Sequence, residues 1–249
     1  MPLGTTKGEQ GARLRDEFLA VTAVATPHEL LAQTLRFTRQ LGFDTVSAMA
    51  VLDRFGADSD FVCVHNTPAA FLGQFHDTAQ GRRCPVMQHC KLSSLPILWD
   101  RQTYAAVDQA DVWETQAPFG FAHGIAMALH LPGGRHFFIG VDRDRALPRC
   151  PAETSRMTAD LQLFAVHAQD TALRLLLPPA TDAEPPPLTT RELEGLRWTM
   201  HGKTAWELGR ILGISEQTAV RHLHNAARKL GCINKHQAVV KALRLGLIH

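Results

Sequence analysis

The stretch Leu188 to Ile248, LTTRELEGLRWTMHGKTAWELGRILGISEQTAVRHLHNAARKLGCINKHQAVVKALRLGLI, constrains this chain more than any other, because its helix starts and its tight turn are written in residue types. Thr189 with Glu192, Thr204 with Glu207 and Asn234 with Gln237 each put an N-cap oxygen three residues before a side chain that can reach back to the cap. The pattern predicts short helices over roughly 189–201, 204–212, 215–230 and 234–245, with Leu212-Gly213-Ile214-Ser215 turning the chain between the second and the third. In the third helix Ala219, Leu223, Ala226 and Leu230 recur at i, i+4, i+7 and i+11, which makes one buried stripe. Gln217, Arg221, His224 and Arg228 then point the other way. Such a helix-turn-helix suits a DNA major groove, about 12 Å wide. A small bundle with a merely solvated basic face shows the same pattern, so charge has to separate the two.

From residue 188 onward ten Lys or Arg stand against four Glu and no Asp, a balance of +6, while the preceding residues hold 16 basic and 20 acidic side chains. The net charge of +2 therefore hides a basic module joined to an acidic one. Concentrated positive charge is the electrostatic footprint of phosphate binding, because each neutralised phosphate releases counterions.

Leu188-Thr189, Glu192, Leu196, Gly202-Lys203, Glu207-Leu208, Leu212-Gly213-Ile214-Ser215, Thr218, His222, Lys229-Leu230-Gly231, Asn234, Gln237-Ala238-Val239, Ala242 and Gly246-Leu247-Ile248 together resemble the DNA-binding domain of LuxR-type transcription regulators over its full length. The resemblance implies DNA contacts from Lys203, Thr204, Ser215, Gln217, Thr218, Arg221, His222, Asn225, Arg228 and Lys229. Thr218, His222 and Lys229 match the family's phosphate-contacting or frame-setting positions. Ala219-Val220-Arg221 departs from the more usual Val, Lys or Arg, aromatic run, which leaves base preference open.

Ahead of this module, Pro178 to Pro187 (PPATDAEPPP) carries five prolines in ten residues and reads as a semi-stiff spacer between domains. The expected organisation is a flexible stretch 1–12, a sensory domain 13–177, the linker 178–187 and the basic module 188–249. Within 13–177 apolar spacing predicts two initial helices, with Thr26-Pro27 as cap and first turn of the second. TVSAMAVL (45–52) and DFVCV (60–64) read as an antiparallel pair across the turn-prone 54–59. A helix opening at Thr67-Pro68 runs to about His76, and a short helical segment spans Pro85 to Leu92. After a mostly polar, irregular stretch, 123–131 and 135–141 flank Pro132-Gly133-Gly134 as a hairpin, and one long helix runs from Thr154 to Leu177. The fold class is α+β: an α-β-α sandwich with an antiparallel sheet between helices, followed by an all-α four-helix module.

The order of elements and the anchor Asn66-Thr67-Pro68…Phe71…Phe75…Cys84-Pro85…Trp99…Gly124 resemble the autoinducer-binding domain of the same regulators. Family members usually show Asn-Tyr-Pro…Trp…Tyr…Asp-Pro…Trp…Gly there, and their first Trp, Tyr and Asp hydrogen-bond an acyl-homoserine lactone. In this chain Thr67, Phe71, Phe75 and Cys84 replace the first Tyr, the Trp, the second Tyr and the Asp, while Trp99 and Gly124 are kept. An unpaired buried amide costs about 1–3 kcal/mol, so these changes predict a pocket for a less polar ligand. Its candidate lining is Thr67, Phe71, Phe75, Cys84, Pro85, Trp99, Gly124, Ala126, Met127 and Gly140.

Other chemistry is weakly supported. Cys84, His89, Cys90 and His76 lack paired spacing and come from one segment, which argues against a metal site. Cys84 beside Arg82 and Arg83 is either a redox-sensing thiol or a small thiol lining the pocket. No Ser/His/Asp or HExxH arrangement is present, Gly133-Gly134 is a turn, and no cofactor is implied. The five cysteines, the absence of an apolar run near eighteen residues and an opening without a hydrophobic signal core predict a reduced, cytoplasmic protein. The expectation is a regulator of the LuxR type, a solo receptor for an apolar signal other than an acyl-homoserine lactone. The alternatives are a ligand-independent or a lactone-binding regulator. Its partners would be a pseudo-palindromic double-stranded DNA operator, a small-molecule signal, a second copy of the chain and, as a candidate, RNA polymerase, with no membrane. Leu173, Leu176, Val239 and Leu243 carry more apolar surface than one buried stripe needs and are the expected dimer surfaces.

Overall fold

The computed structural model describes residues 16–53, 59–72, 83–177 and 187–249. Phe75, His76, the proposed flexible start at 1–12 and the spacer up to residue 186 lie outside the described residues. The chain splits into two compact units, the main division falling between Pro179 and Ala180.

The first unit opens with helix α1 (16–23) and α2 (Pro27–Gln40). Thr26 accepts from the Glu29 N–H at 3.2 Å while Glu29 Oε2 accepts from the Thr26 N–H at 3.1 Å, and Pro27 sits where its missing N–H costs nothing. Strands β1 (Thr45–Leu52) and β2 (Asp60–His65) pair antiparallel as the spacing predicts. A single helical turn, α3 (Ala69–Leu72), and α4 (Pro85–Leu92) follow.

Beyond them the structure departs from the expected irregular stretch. Residues Ile97–Trp99 form a short strand β3, and 101–116 hold two helices, α5 (Arg101–Ala105) and α6 (Ala110–Gln116). Asp100 starts α5, its Oδ1 accepting from the Gln102 N–H at 2.8 Å, while Thr103 Oγ1 accepts from the Asp100 N–H at 3.2 Å. This is a capping box built with Thr in place of Glu or Gln, a substitution the usual signature does not register.

The hairpin is β4 (His123–Leu131) and β5 (Arg135–Arg143), and α7 (Pro151–Leu176) closes the unit. Helix α7 starts at Pro151, three residues before the expected start at Thr154, because Pro151 supplies the first helical φ and the Thr154 hydroxyl donates to the Pro148 carbonyl at 2.8 Å. The sheet order is β2-β1-β5-β4-β3, with every pair antiparallel.

Strand alternation gives this sheet two dissimilar faces. On one, Val46, Ala48, Ala50, Ile125, Met127, Phe137, Ile139 and Val141 pack against Leu30 and Phe37 of α2 and Leu161 and Phe164 of α7. Phe37 and Phe164 stack at 4.2 Å between centroids, and both are fully buried. Each such aromatic contributes about 1.5–3 kcal/mol of burial, so this face anchors the unit. The other face carries a separate cluster around Trp99, described below.

The second unit consists of α8 (Thr190–Met200), α9 (Ala205–Leu212), α10 (Glu216–Lys229) and α11 (Lys235–Arg244). The capping boxes at Thr189 and Thr204 form with both arms. At Asn234 only the first arm matches expectation: Gln237 Oε1 accepts from the Ile233 N–H at 2.8 Å, one residue earlier than the cap. Gly213 ends α9 with φ +66°, a left-handed conformation that lets the chain turn without Cβ strain. Leu196, Leu223, Ala226, Leu230, Ala238, Ala242 and Ile248 form the core.

Of the residues expected to supply dimer surfaces, Leu173, Leu176 and Val239 are buried within their own units; only Leu243 is exposed, at 41%. The apolar side chains that α7 and α11 leave exposed are Leu163, Val166, Val240 and Leu243.

Candidate functional site

Helix α10 presents its side chains in three stripes. Ala219, Leu223, Ala226 and Leu230 at its C-cap are buried, at 0–4% exposure. Gln217, Arg221, His224 and Arg228 are exposed on the opposite side. About 100° round from them, at 3.6 residues per turn, lie the half-buried Thr218, His222, Asn225 and Lys229. The helix N-terminus is built from hydroxyls. Ser215 Oγ accepts from the Thr218 N–H at 3.1 Å and lies 2.8 Å from Thr218 Oγ1, so two polar side chains and unpaired backbone donors meet where helix geometry favours an anion.

The cations around this helix divide into two kinds. Lys229 Nζ is 2.8 Å from Glu192 Oε2 and donates to the Pro187 carbonyl at 3.1 Å, which ties α10 to the start of α8. Burial pushes the Glu192 carboxyl up, but the bonds from Lys229 and Thr189 outweigh it and hold the acid below its ordinary range. Lys229 is thus engaged within its own unit. Lys203 Nζ lies 3.2 Å from Glu207 Oε1, next to the Thr204 cap. Arg221 and Arg228, by contrast, are exposed and form no ion pair among the described residues.

On the first unit, the second face of the sheet is best read in rows of register partners. Trp99, Gly124, Asp142 and Thr45 form one row across β3, β4, β5 and β1. The next row is Ile97, Ala126, Gly140, Ser47 and His65. Small residues at 124, 126 and 140 leave a shallow floor. At Gly124 this is obligatory: a Cβ would lie 2.5 Å from the Val141 carbonyl oxygen and 2.6 Å from Trp99 Nε1, so the indole covers the glycine.

Around the floor, Phe71 stacks on Phe121 at 4.4 Å and meets Phe119 edge-on at 5.6 Å. Cys84 and Pro85 begin α4, and Cys84 Sγ is 3.5 Å from the Tyr104 hydroxyl. The Tyr104 ring in turn lies edge-on to Trp99 at 5.8 Å. Thr67 is half-buried, its N–H donating to His65 Nδ1 at 3.3 Å. The structure therefore brings Phe71, Cys84, Trp99, Ala126 and Gly124 to one face, with Gly140 in the same rows. Met127, although adjacent to Ala126, belongs to the opposite face with Phe37 and Phe164, since alternate side chains of a strand point apart.

Three buried polar residues at this face were absent from the sequence expectation. Tyr104, the chain's one tyrosine, is 2% exposed; burial and then the neighbouring Cys84 raise its pKa, so it stays a neutral hydroxyl. Gln116 is buried beside it. Asp142 is 7% exposed, and burial raises its pKa to about 8, so at neutral pH the protonated form predominates. The available signal was an acid at the end of the apolar strand FFIGVD, at a position whose parity matches Phe138 and Gly140. Cys90, also buried in this cluster, is pushed up to about 12 by burial and then by Cys84.

Comparisons with known proteins cover both units. The family described as the autoinducer binding domain matches residues 26–172, and that described as bacterial regulatory proteins of the luxR family matches residues 186–242. The transcriptional activator protein SolR of Ralstonia nicotianae is 30% identical over 239 residues, covering 96% of this chain and 100% of its own length. BjaR1 of Bradyrhizobium diazoefficiens, also a transcriptional activator, is 31% identical over 216 residues, covering 84% of this chain and 85% of its own. Among solved structures, Escherichia coli SdiA superposes with a TM-score of 0.71 at 23% identity over 96% of this chain and 99% of that one. SdiA in complex with octanoyl-rac-glycerol gives 0.72 at 24% identity over 99% of each chain. Both units, in the same order and over nearly the whole chain, place this protein in the LuxR family of bacterial transcription regulators, which pair an autoinducer-binding domain with a DNA-binding helix-turn-helix and are not enzymes.

Proposed function

We propose that this regulator answers to an apolar signal other than an acyl-homoserine lactone, as a solo receptor in the cytoplasm. The observation that carries the reading is the replacement of the family's hydrogen-bonding side chains on the ligand face by Phe71 and Cys84, both engaged with other apolar or thiol-tolerant partners. Phenylalanine can donate no hydrogen bond, and a thiol is a weak acceptor. The fold neighbour SdiA, solved in complex with octanoyl-rac-glycerol, supports the view that this architecture accommodates a ligand without a lactone ring. Calorimetry with lactones of differing chain length tests the reading: none should bind with submicromolar affinity, and submicromolar binding of any one overturns it.

On the DNA side the proposed reader is the exposed stripe of α10, with Arg221 and Arg228 aimed at base edges and the Ser215 and Thr218 hydroxyls at a phosphate. The operator is a pseudo-palindrome whose half-sites lie about one helical turn, roughly 34 Å, apart, bound by a dimer that presents itself to RNA polymerase. Replacing Arg221 or Arg228 by Ala should weaken binding to a selected operator by roughly 1–3 kcal/mol. Unchanged binding in both variants would move the reader elsewhere.

A further inference from the structure

His130 and His136 stand directly opposite each other on β4 and β5, beside the turn 132–134 that joins the two strands. Their Nδ1 atoms are 2.9 Å apart, and their rings meet at 73° with centroids at 4.9 Å. On the far side of its ring His136 places Nε2 2.9 Å from Asp53 Oδ2, while Asp53 Oδ1 accepts from the Ser59 hydroxyl at 2.7 Å. Four polar side chains therefore run in one line across this end of the sheet. From His136 to Asp142, in the row of Trp99 and Gly124, is about 20 Å along β5 at roughly 3.4 Å per residue, so the line lies well away from the face read as the ligand site.

Asp53 decides the tautomer of its neighbour. A carboxylate only accepts, so His136 carries its proton on Nε2 and turns the Nδ1 lone pair toward His130. His130 supplies the Nδ1–H that fills the gap, and because its side chain is exposed its Nε2 can carry that proton instead. After this exchange two imidazole lone pairs converge from paired strands. Metal-binding histidines are held in the same way, the ring nitrogen away from the ion donating to a carboxylate. Arg135 shares its parity with Phe137, which lies in the opposite core, so its charge points away from the pair.

We propose that His130 and His136 bind a divalent transition-metal ion through their Nδ1 atoms, copper(II) ahead of nickel(II) and zinc(II), with Asp53 as the positioning residue for the His136 ring. Bonds from such an ion to imidazole are about 2.0–2.1 Å, so two nitrogens at a right angle around it are about 2.9 Å apart and two at a tetrahedral angle about 3.3 Å. The 2.9 Å found here fits the right angle, which is the geometry of tetragonal copper(II) and nickel(II), and copper(II) heads the affinity order. Among the described residues no three His, Cys, Asp or Glu side chains gather as ligands, so water completes the coordination. Magnesium and calcium prefer oxygen and gain nothing from an imidazole pair.

Calorimetry and electron paramagnetic resonance on the full-length chain, with copper(II) chloride as the probe, test the site. One equivalent should bind ahead of any other, and its spectrum should carry the splitting of two imidazole nitrogens. His130→Gln and His136→Gln should each weaken that equivalent at least about tenfold and leave no more than one nitrogen in the spectrum, whereas Asp53→Asn should weaken it about tenfold and keep both nitrogens. Excess magnesium chloride should leave the titration unchanged. A first equivalent held as tightly by His130→Gln as by the natural protein overturns the site. So does a natural protein whose first equivalent lacks the two-nitrogen splitting, a result that no misfolded variant can mimic. Asp53→Asn binding at full strength overturns the positioning role of Asp53.

Discussion

Asp142 shows how a single buried side chain ties stability to pH. Its folded pKa, about 8, is raised by burial above the ordinary value of 3.8, so between these limits the folded protein holds a proton that the unfolded chain has released. Stability from this group is fully present below about pH 4 and is lost as pH rises through about 8. The melting temperature of the first unit should therefore fall across that window, and Asp142→Asn, with no proton to lose, should flatten the fall. An unchanged pH profile in Asp142→Asn would mean that the carboxyl is solvated in solution. Gly124 works at the same scale by absence: any side chain there would displace the Trp99 indole or strain the β4–β5 pairing.

Between helices, the pair Glu192–Lys229 does for the second unit what packing alone does not. It links the first turn of α8 to the last turn of α10, so it sets the angle at which the exposed stripe of α10 is offered. Glu192 is 3% exposed, and its removal leaves the Lys229 ammonium with only the Pro187 carbonyl. Glu192→Ala should cost about 1–3 kcal/mol in urea unfolding, below the ~3–5 kcal/mol of a fully buried pair because Lys229 keeps some contact with water. DNA affinity should drop in the same variant although Glu192 faces no phosphate. A variant as stable as the parent would reduce this pair to an ornament of the surface.

For the whole molecule, the proposed dimer would have to use faces that neither unit buries. Val240 and Leu243 on α11 are 39% and 41% exposed, one helical turn or less apart, and we propose them as the seam between two copies on adjacent half-sites. Replacing both by Asp should shift sedimentation toward monomer and weaken operator binding at least tenfold, while leaving the unfolding midpoint of the second unit nearly unchanged. A dimer that persists in this variant would place the seam on the first unit, where Leu163 and Val166 of α7 are exposed. Among the described residues no helix is long and apolar enough to cross a membrane.

The sequence by itself determined the basic helix-turn-helix almost to the residue. Its caps, its turn glycine and its buried stripe are relations across three to eleven positions, short enough for local hydrogen bonding and helical periodicity to decide. The hairpin and the β1–β2 pair were legible for the same reason. The ligand face was legible only in outline, through Phe71, Cys84, Trp99 and Gly124. That Asp142 stands beside Gly124 and Thr45 depends on the register of β5 between β4 and β1, and a shift of one residue would have sent it into the opposite core with Val141. The same parity put Met127 in the opposite core, and helix packing buried Leu173, Leu176 and Val239 in their own units. Spacing along a strand or helix tells which residues share a side. Only the packing of distant strands and helices against one another decides what that side faces.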